Sequence, residues 1–162
     1  MFALRSCAGV PFLLAAALSL NPYDRSVVER VSARAAARLE EPECLKVLTD
    51  FKDRRGRTLE ANLQPLGVSA SRYLRELTFL DGSPLAACRA PSVIMTATPG
   101  VRRVFVCPSG PGHITSRLSR LEFVSGSLAE AMVIHEMLHT LGLGENPPTT
   151  TEITARVRER CR

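Results

Sequence analysis

The stretch SGSLAEAMVIHEMLHTLGLG, residues 125–144, constrains the fold more than any other part of this chain. Its periodicity is helical, but its apolar side chains cover nearly the whole circumference instead of one stripe. A helix of that kind is buried on all sides. We therefore expect the other elements of the fold to pack around it.

The limits of this helix are marked by residues with strong positional preferences. Ser127 and Glu130 have the spacing of a capping box, in which each side chain bonds a free backbone N–H at the helix start. Gly142 suits the left-handed position that follows the last turn. The sequence therefore predicts a helix from about residue 128 to residue 141.

Two of the three histidines in the chain lie on this helix. His135 and His139 are four residues apart and so project from the same face, where two imidazoles can reach one ion. A buried polar pair needs partners, and a metal ion would provide one. Glu136 lies one position further round, close enough to touch a water on such an ion without being a ligand.

The segment from His135 to Glu145 reads HExxHxxGxxE and resembles the metzincin pattern HExxHxxGxxH, with glutamate as the last residue. The resemblance implies a zincin-like fold in which Zn²⁺ is held by His135, His139 and Glu145. It also implies Glu136 as the general base and a fourth metal position open to water. The resemblance covers this segment alone. No methionine follows Met137, so the methionine turn of metzincins is missing.

Glu152 is the alternative third ligand. Zincins of the thermolysin type take theirs from a glutamate on a following helix, and TTTEITARVRERC predicts such a helix here. Thr149 and Glu152 also fit a capping box, which accounts for Glu152 without a metal. We favour Glu145 because it has the spacing of the family pattern.

The N-terminus is typical of a secretory signal peptide. Arg5 precedes an apolar stretch, residues 8–20, that is too short for a comfortable membrane span of about 20 residues. We assign residues 1–20 to the signal, with cleavage near Ser19, and residues 21–162 to one domain. The mature protein would be secreted or periplasmic, without a stable membrane span. A first core helix and an uncleaved anchor are the alternatives.

Cysteine usage agrees with export. Loss of Cys7 with the signal leaves Cys44, Cys88, Cys107 and Cys161, an even number that predicts two disulfides in an oxidising compartment. Four cysteines allow three pairings, and the sequence does not choose among them. Four free thiols are the alternative if the signal is absent.

The remaining patterns predict an α+β fold, in which the metal-binding helix packs on a small antiparallel sheet. An alanine-rich helix is expected over residues 24–41, with Asp24 as its cap, and amphipathic segments over 59–66 and 70–77. Residues 93–106 predict a β-hairpin with a PG turn. This hairpin is our candidate for the strand beside which an extended substrate would lie.

Composition argues against a nucleic-acid partner. The net charge of +5 comes from arginines in separate places, aromatic residues make up 5% of the chain, and tryptophan is absent. A nucleic-acid surface usually gathers its charge on one face and adds aromatic side chains for stacking. We interpret the charge as a solvated surface.

These observations predict a monomeric zinc metallopeptidase that hydrolyses peptide bonds of a peptide or protein substrate, with Glu136 as general base. His113, Tyr23 and Tyr73 are further side chains that could stabilise an oxyanion. The alternative is a secreted, disulfide-stapled binding module without catalysis, which retains a structural or vestigial metal site.

Overall fold

The computed structural model describes residues 19–110 and 113–162. The predicted signal peptide therefore lies outside the described residues as far as residue 18. Helices and strands follow one another as α1 (Pro22–Arg38), α2 (Pro42–Leu45), α3 (Val47–Asp50), α4 (Leu59–Leu63), α5 (Ala70–Arg75), β1 (Thr78–Asp81), β2 (Met95–Ala97), β3 (Arg103–Val106), α6 (Arg117–Val124), α7 (Gly126–Thr140) and α8 (Thr150–Arg160). Short 3-10 turns occupy Gln64–Leu66 and Ala86–Arg89. None of the helices in the described ranges has the length and apolar character needed to cross a bilayer.

Helix α7 lies at the centre of an α+β fold, as its all-round apolar pattern predicts. It contacts α1, α6 and α8 and also the strands β2 and β3. Most of its apolar side chains are buried, with 0% exposure for Ala129, Val133, Ile134, Met137 and Leu138, while Leu128 and Met132 are partly buried. Each large apolar side chain buried in this way stabilises the fold by roughly 1.5–3 kcal/mol. Packing from every side fixes the helix that carries the two histidines.

The start of α7 differs from the prediction. Ser125 caps the helix, with its side chain accepting from the Leu128 N–H at 3.4 Å, so the helix begins at Gly126. The predicted capping box is wrong because Glu130 has other partners. Its carboxylate accepts from Arg34 Nε at 2.8 Å and from Arg38 Nε at 3.4 Å, both on α1. Glu130 therefore joins α7 to α1 instead of closing the first turn of its own helix.

The sheet is mixed, and the prediction of an antiparallel sheet is wrong for one strand. The order is β1-β3-β2. Strands β2 and β3 pair antiparallel, as the predicted hairpin requires, whereas β1 pairs parallel with β3. The chain leaves β1, passes through a 3-10 turn and β2, and returns to the end where β1 began, which makes parallel pairing available. In the part of the chain that the structure describes, β2 is an edge strand with one side unpaired.

Two disulfides are present, as predicted, and the structure shows which cysteines pair. Cys44 on α2 is joined to Cys161 at the end of α8. Cys88, in the second 3-10 turn, is joined to Cys107 directly after β3. The first bond fixes the C-terminal helix to the N-terminal half of the chain, and the second closes the base of the hairpin.

Helix α1 begins at Pro22 because Asn21, not the predicted Asp24, caps it by accepting from the Asp24 N–H at 2.9 Å. The buried Asp24 carboxylate instead joins α1 to α6. It accepts from the Ser116 N–H at 2.9 Å, from the Ser119 hydroxyl, and from Asn21 Nδ2 at 2.7 Å. Burial by itself raises the pKa of Asp24, but these hydrogen bonds outweigh burial and lower that pKa.

We expect Asp24→Asn to lower the free energy of unfolding by about 2 kcal/mol at neutral pH, because charge-assisted hydrogen bonds between two helices are lost. The pKa of Asp24 is lower in the folded protein than in the unfolded chain. Its contribution is therefore fully present above about pH 4 and is lost as the pH falls through the folded-state value. Urea unfolding of the wild type and of Asp24→Asn should show a difference in the free energy of unfolding that becomes smaller at acid pH. A difference independent of pH would contradict this account.

Candidate metal centre

Three ligand atoms converge at the C-terminal end of α7. His135 Nε2 lies 3.0 Å from His139 Nε2, and Glu145 Oε1 lies 3.3 Å from His139 Nε2 and 3.7 Å from His135 Nε2. A tetrahedral ion with bonds of about 2.0–2.1 Å needs ligand atoms about 3.3–3.5 Å apart. The three separations, 3.0–3.7 Å, lie on either side of that requirement. These residues form a group that could hold one metal ion.

Gly142 creates the turn that brings Glu145 to the histidines. Its φ of 106° lies in the region that side chains other than glycine rarely adopt. The Gly142 N–H donates to the His139 carbonyl at 2.8 Å, and the Leu143 N–H donates to the Leu138 carbonyl at 3.1 Å. Together these bonds form a Schellman motif, which reverses the chain after the helix. The predicted role of Gly142 as the helix terminator is confirmed.

The hydrogen bonds behind the imidazoles fix which ring nitrogens face each other. His139 Nδ1 donates to the Leu143 carbonyl at 2.8 Å, since a carbonyl only accepts. His135 Nδ1 lies 3.0 Å from Thr154 Oγ1, whose own hydroxyl is directed at Met132 Sδ. When both imidazoles carry their proton on Nδ1, the two Nε2 lone pairs are free to bind one cation between them. The residues present therefore fit a metal ion.

The ligand group combines two buried imidazoles with a half-exposed carboxylate. His135 and His139 are 1% and 5% exposed. Burial, followed by the nearby His139, lowers the pKa of His135 to about 4, so this imidazole is neutral at neutral pH, as ligation requires. Thr150 Oγ1 donates to Glu145 Oε1 at 2.7 Å. Burial raises the pKa of Glu145, but Thr150 and the two histidines outweigh it, so the pKa is lowered.

Glu152, the other predicted candidate, is occupied elsewhere. Its Oε2 accepts from the Thr149 N–H at 2.7 Å and from Thr149 Oγ1 at 2.8 Å. The Thr149 side chain in turn accepts from the Glu152 N–H, so the predicted capping box of α8 is confirmed. Of the two glutamates, the structure brings Glu145 to the histidines and leaves Glu152 at the helix cap.

Glu136 is the most unusual group near the histidines. Its side chain belongs to a residue only 4% exposed, and its Oε2 has no hydrogen-bond partner within residues 19–110 and 113–162. Burial, followed by the charge of Glu145, raises the pKa of Glu136 to about 8, although the Ala97 N–H bonds the carboxyl group. A buried carboxyl oxygen without a partner is costly and calls for a reason.

A cleft of about 590 Å³ opens at this group, with β2 as its opposite wall. The Cys107 N–H donates to the Ile94 carbonyl at 3.0 Å, so Ile94 belongs to a hydrogen-bonded pair with β3. Pairs alternate along an antiparallel ladder, which directs the N–H and C=O groups of Met95 and Ala97 away from β3. The Ala97 N–H is the group that reaches Glu136. The free edge of β2 therefore runs along the cleft.

Other residues that the sequence singled out lie elsewhere. The Tyr73 hydroxyl is buried against Thr140, with 3.1 Å between Tyr73 Oη and Thr140 Oγ1, and neither Tyr23 nor His113 lines the cleft. Conversely, Thr150 and Thr154 bond the ligand group and were missed. Their spacing of one helical turn on α8 was an available signal.

Comparisons of the chain with protein-family models, with curated proteins and with solved structures find no match.

We expect Glu145→Ala to weaken Zn²⁺ binding by at least about 100-fold, because one of three ligand atoms is removed. Glu152→Gln is the matched control and should bind Zn²⁺ as the wild type does, since Glu152 bonds only its own helix cap. Competition with a chromophoric chelator measures both affinities. Equal losses in the two variants would show that Glu145 is not the third ligand.

Proposed function

We propose that this chain is a zinc-dependent metallopeptidase that hydrolyses peptide bonds in extended segments outside the cytoplasm. The observation that carries the proposal is the buried, unpartnered Oε2 of Glu136 beside His135, His139 and Glu145 in an open cleft. A buried acid of this kind has a use where a proton must be moved.

Zinc is the ion that best suits the donors. Two imidazole nitrogens and one carboxylate oxygen form a His₂Glu set, which is common among catalytic zinc sites. Structural zinc sites usually close with four protein ligands, whereas this group has three and faces a cleft. When bound there, the ion would supply a Lewis acid that polarises the scissile carbonyl and makes water more acidic.

Glu136 would move the proton in this reaction. Its free Oε2 accepts a proton from the attacking water and later returns it to the leaving nitrogen. The Ala97 N–H holds the carboxyl group in place by its hydrogen bond. A divalent cation close to Glu136 stabilises its carboxylate form. Metal binding would therefore lower the pKa of Glu136, so that this residue can accept a proton at neutral pH.

The free edge of β2 would align the substrate. An extended peptide can add to this edge as a further strand, using the N–H and C=O of Met95 and the C=O of Ala97. Such pairing recognises the backbone and places the bond to be cleaved beside Glu136. It favours unfolded or extended peptide segments over compact folded proteins.

Location outside the cytoplasm is supported by the two disulfides, which persist in oxidising compartments. A binding module without catalysis explains the disulfides equally well. It gives no reason for a buried acid with an unpartnered oxygen at the edge of an open cleft. Glu136 therefore favours the enzyme.

The test is hydrolysis of a mixture of unstructured peptides by oxidised, zinc-loaded protein, followed by mass spectrometry of new chain ends. We expect cleavage that stops on chelation and returns when Zn²⁺ is added. Stoichiometric zinc with every peptide intact would reject the peptidase and leave the binding module.

A further inference from the structure

Among the described residues that line the cleft, one arginine has no acidic partner. Arg54, in the turn after α3, lines the cleft together with His139 and Glu145. Its guanidinium has no acidic partner within the part of the chain that the structure describes, and the side chain is exposed. A Cβ placed on Gly144 would lie 3.2 Å from Arg54 Nε, so this arginine packs directly against the loop that carries Glu145.

Neighbouring acids do not neutralise Arg54. Asp53, the adjacent residue, accepts from the Arg55 N–H at 2.8 Å and from Arg57 Nη2 at 2.9 Å, and it also binds Asn62. The hydrogen bond from Asn62, with those from Arg57 and Arg55, holds the pKa of Asp53 well below its usual range. Glu145 is engaged by the histidines and Thr150. The acids near Arg54 therefore have other partners, and its guanidinium is left facing the cleft.

A second groove, of about 560 Å³, adjoins the cleft at this point. Arg54 and Pro99 line both spaces, and Arg55, Arg57 and Arg102 line the second one. Two of these cations are already paired, Arg57 with Asp53 and Arg102 with Glu76 at 3.1 Å. Arg54 is thus the unpaired cation at the junction where a peptide would leave the cleft.

The position of Pro99 indicates which half of a bound peptide would lie at this junction. Pro99 follows β2, so the second groove begins at the C-terminal end of that strand. A peptide paired antiparallel with β2 runs the opposite way, which places its N-terminal half beside Pro99 and Arg54. Its scissile bond lies beside Ala97 and Glu136, so Arg54 faces residues that precede this bond.

We propose that Arg54 determines specificity by binding the carboxylate of an aspartate or glutamate side chain on the N-terminal side of the scissile bond. This inference rests on the proposed peptidase function. A guanidinium forms strong, often bidentate hydrogen bonds with a carboxylate. The same chemistry is offered by a C-terminal carboxylate, which antiparallel pairing would place at the other end of the cleft.

Binding tests the subsite independently of turnover. The probes are short fluorescein-labelled peptides with amidated ends that differ in one residue, glutamate or glutamine, and a third peptide that carries only a free C-terminal carboxylate. Anisotropy is measured with zinc-loaded full-length protein carrying Glu136→Gln, which prevents cleavage. We expect the glutamate peptide to bind about tenfold more tightly than the glutamine peptide. Arg54→Gln should abolish this preference.

Arg55→Gln is the matched control, since Arg55 is also exposed and unpaired through its side chain but does not line the cleft. It should keep the tenfold preference. No preference in the starting protein, or equal losses in both arginine variants, would overturn the proposal. A preference that follows the free C-terminal carboxylate would overturn the assignment to an acidic side chain.

Cleavage maps distinguish this proposal from the proposed function. With active protein, acidic residues should be enriched before the cleaved bonds, and Arg54→Gln should remove the enrichment. Enrichment after the cleaved bonds would overturn the placement of Arg54. Acid-selective binding through Arg54 without any cleavage would retain the subsite and reject the peptidase.

Discussion

Glu136→Gln should reduce peptide hydrolysis by about 1000-fold while the protein still binds one zinc ion per chain. Glutamine keeps the size of the side chain and can still accept from the Ala97 N–H, but it takes no proton from water at neutral pH. General acid–base catalysis contributes about 10²–10⁴-fold to enzymatic rates. The three ligand atoms of His135, His139 and Glu145 are untouched, so metal content should not change.

Elemental analysis and a peptide assay on the same samples check this prediction. Glu130→Gln is the matched control, because it makes the same change on the same helix, where the carboxylate bonds arginines of α1 and does not line the cleft. It should leave turnover within a small factor of wild type. Hydrolysis at the wild-type rate by Glu136→Gln would exclude Glu136 as the base and with it the proposed mechanism.

The sequence predicts the local part of the site well because local spacing determines it. His135 and His139 share a face through helical periodicity alone, and Gly142 ends the helix through its own conformational freedom. Three residues later, Glu145 reaches the imidazoles because the Schellman turn reverses the chain over a few residues. Each of these contacts joins residues that are less than three helical turns apart along the chain, so the sequence pattern alone can predict it.

Relations between distant residues were missed. The capping box predicted for Ser127 and Glu130 does not form, because the Glu130 carboxylate pairs with Arg34 and Arg38. Both arginines are distant from Glu130 in the sequence. β1 pairs parallel with β3 because of the path that the chain takes between the two strands. The alternation of apolar and polar residues along a strand does not encode that path. In the sequence, Arg54 is an ordinary turn residue, and only the fold shows that it lies at the cleft.

Removal of the metal should lower the free energy of unfolding by about 4 kcal/mol, relative to protein with free zinc at about 1000 times the dissociation constant. An ion that binds only the native state stabilises it by that amount at this concentration. The reason is that the ligand atoms of His135, His139 and Glu145 come together only in the folded chain. Unfolding midpoints in urea, with zinc and with chelator, measure the effect.

His139→Ala should lose this difference almost entirely, because the remaining imidazole and carboxylate hold zinc weakly. The third histidine of the chain supplies the control: His113 lies outside the cleft, and His113→Ala should retain the full zinc-dependent stabilisation. Comparing each variant with and without zinc separates metal binding from any packing cost of the substitution itself. Equal zinc stabilisation in His139→Ala and wild type would mean that the ion binds elsewhere, and the buried pair would then need another partner.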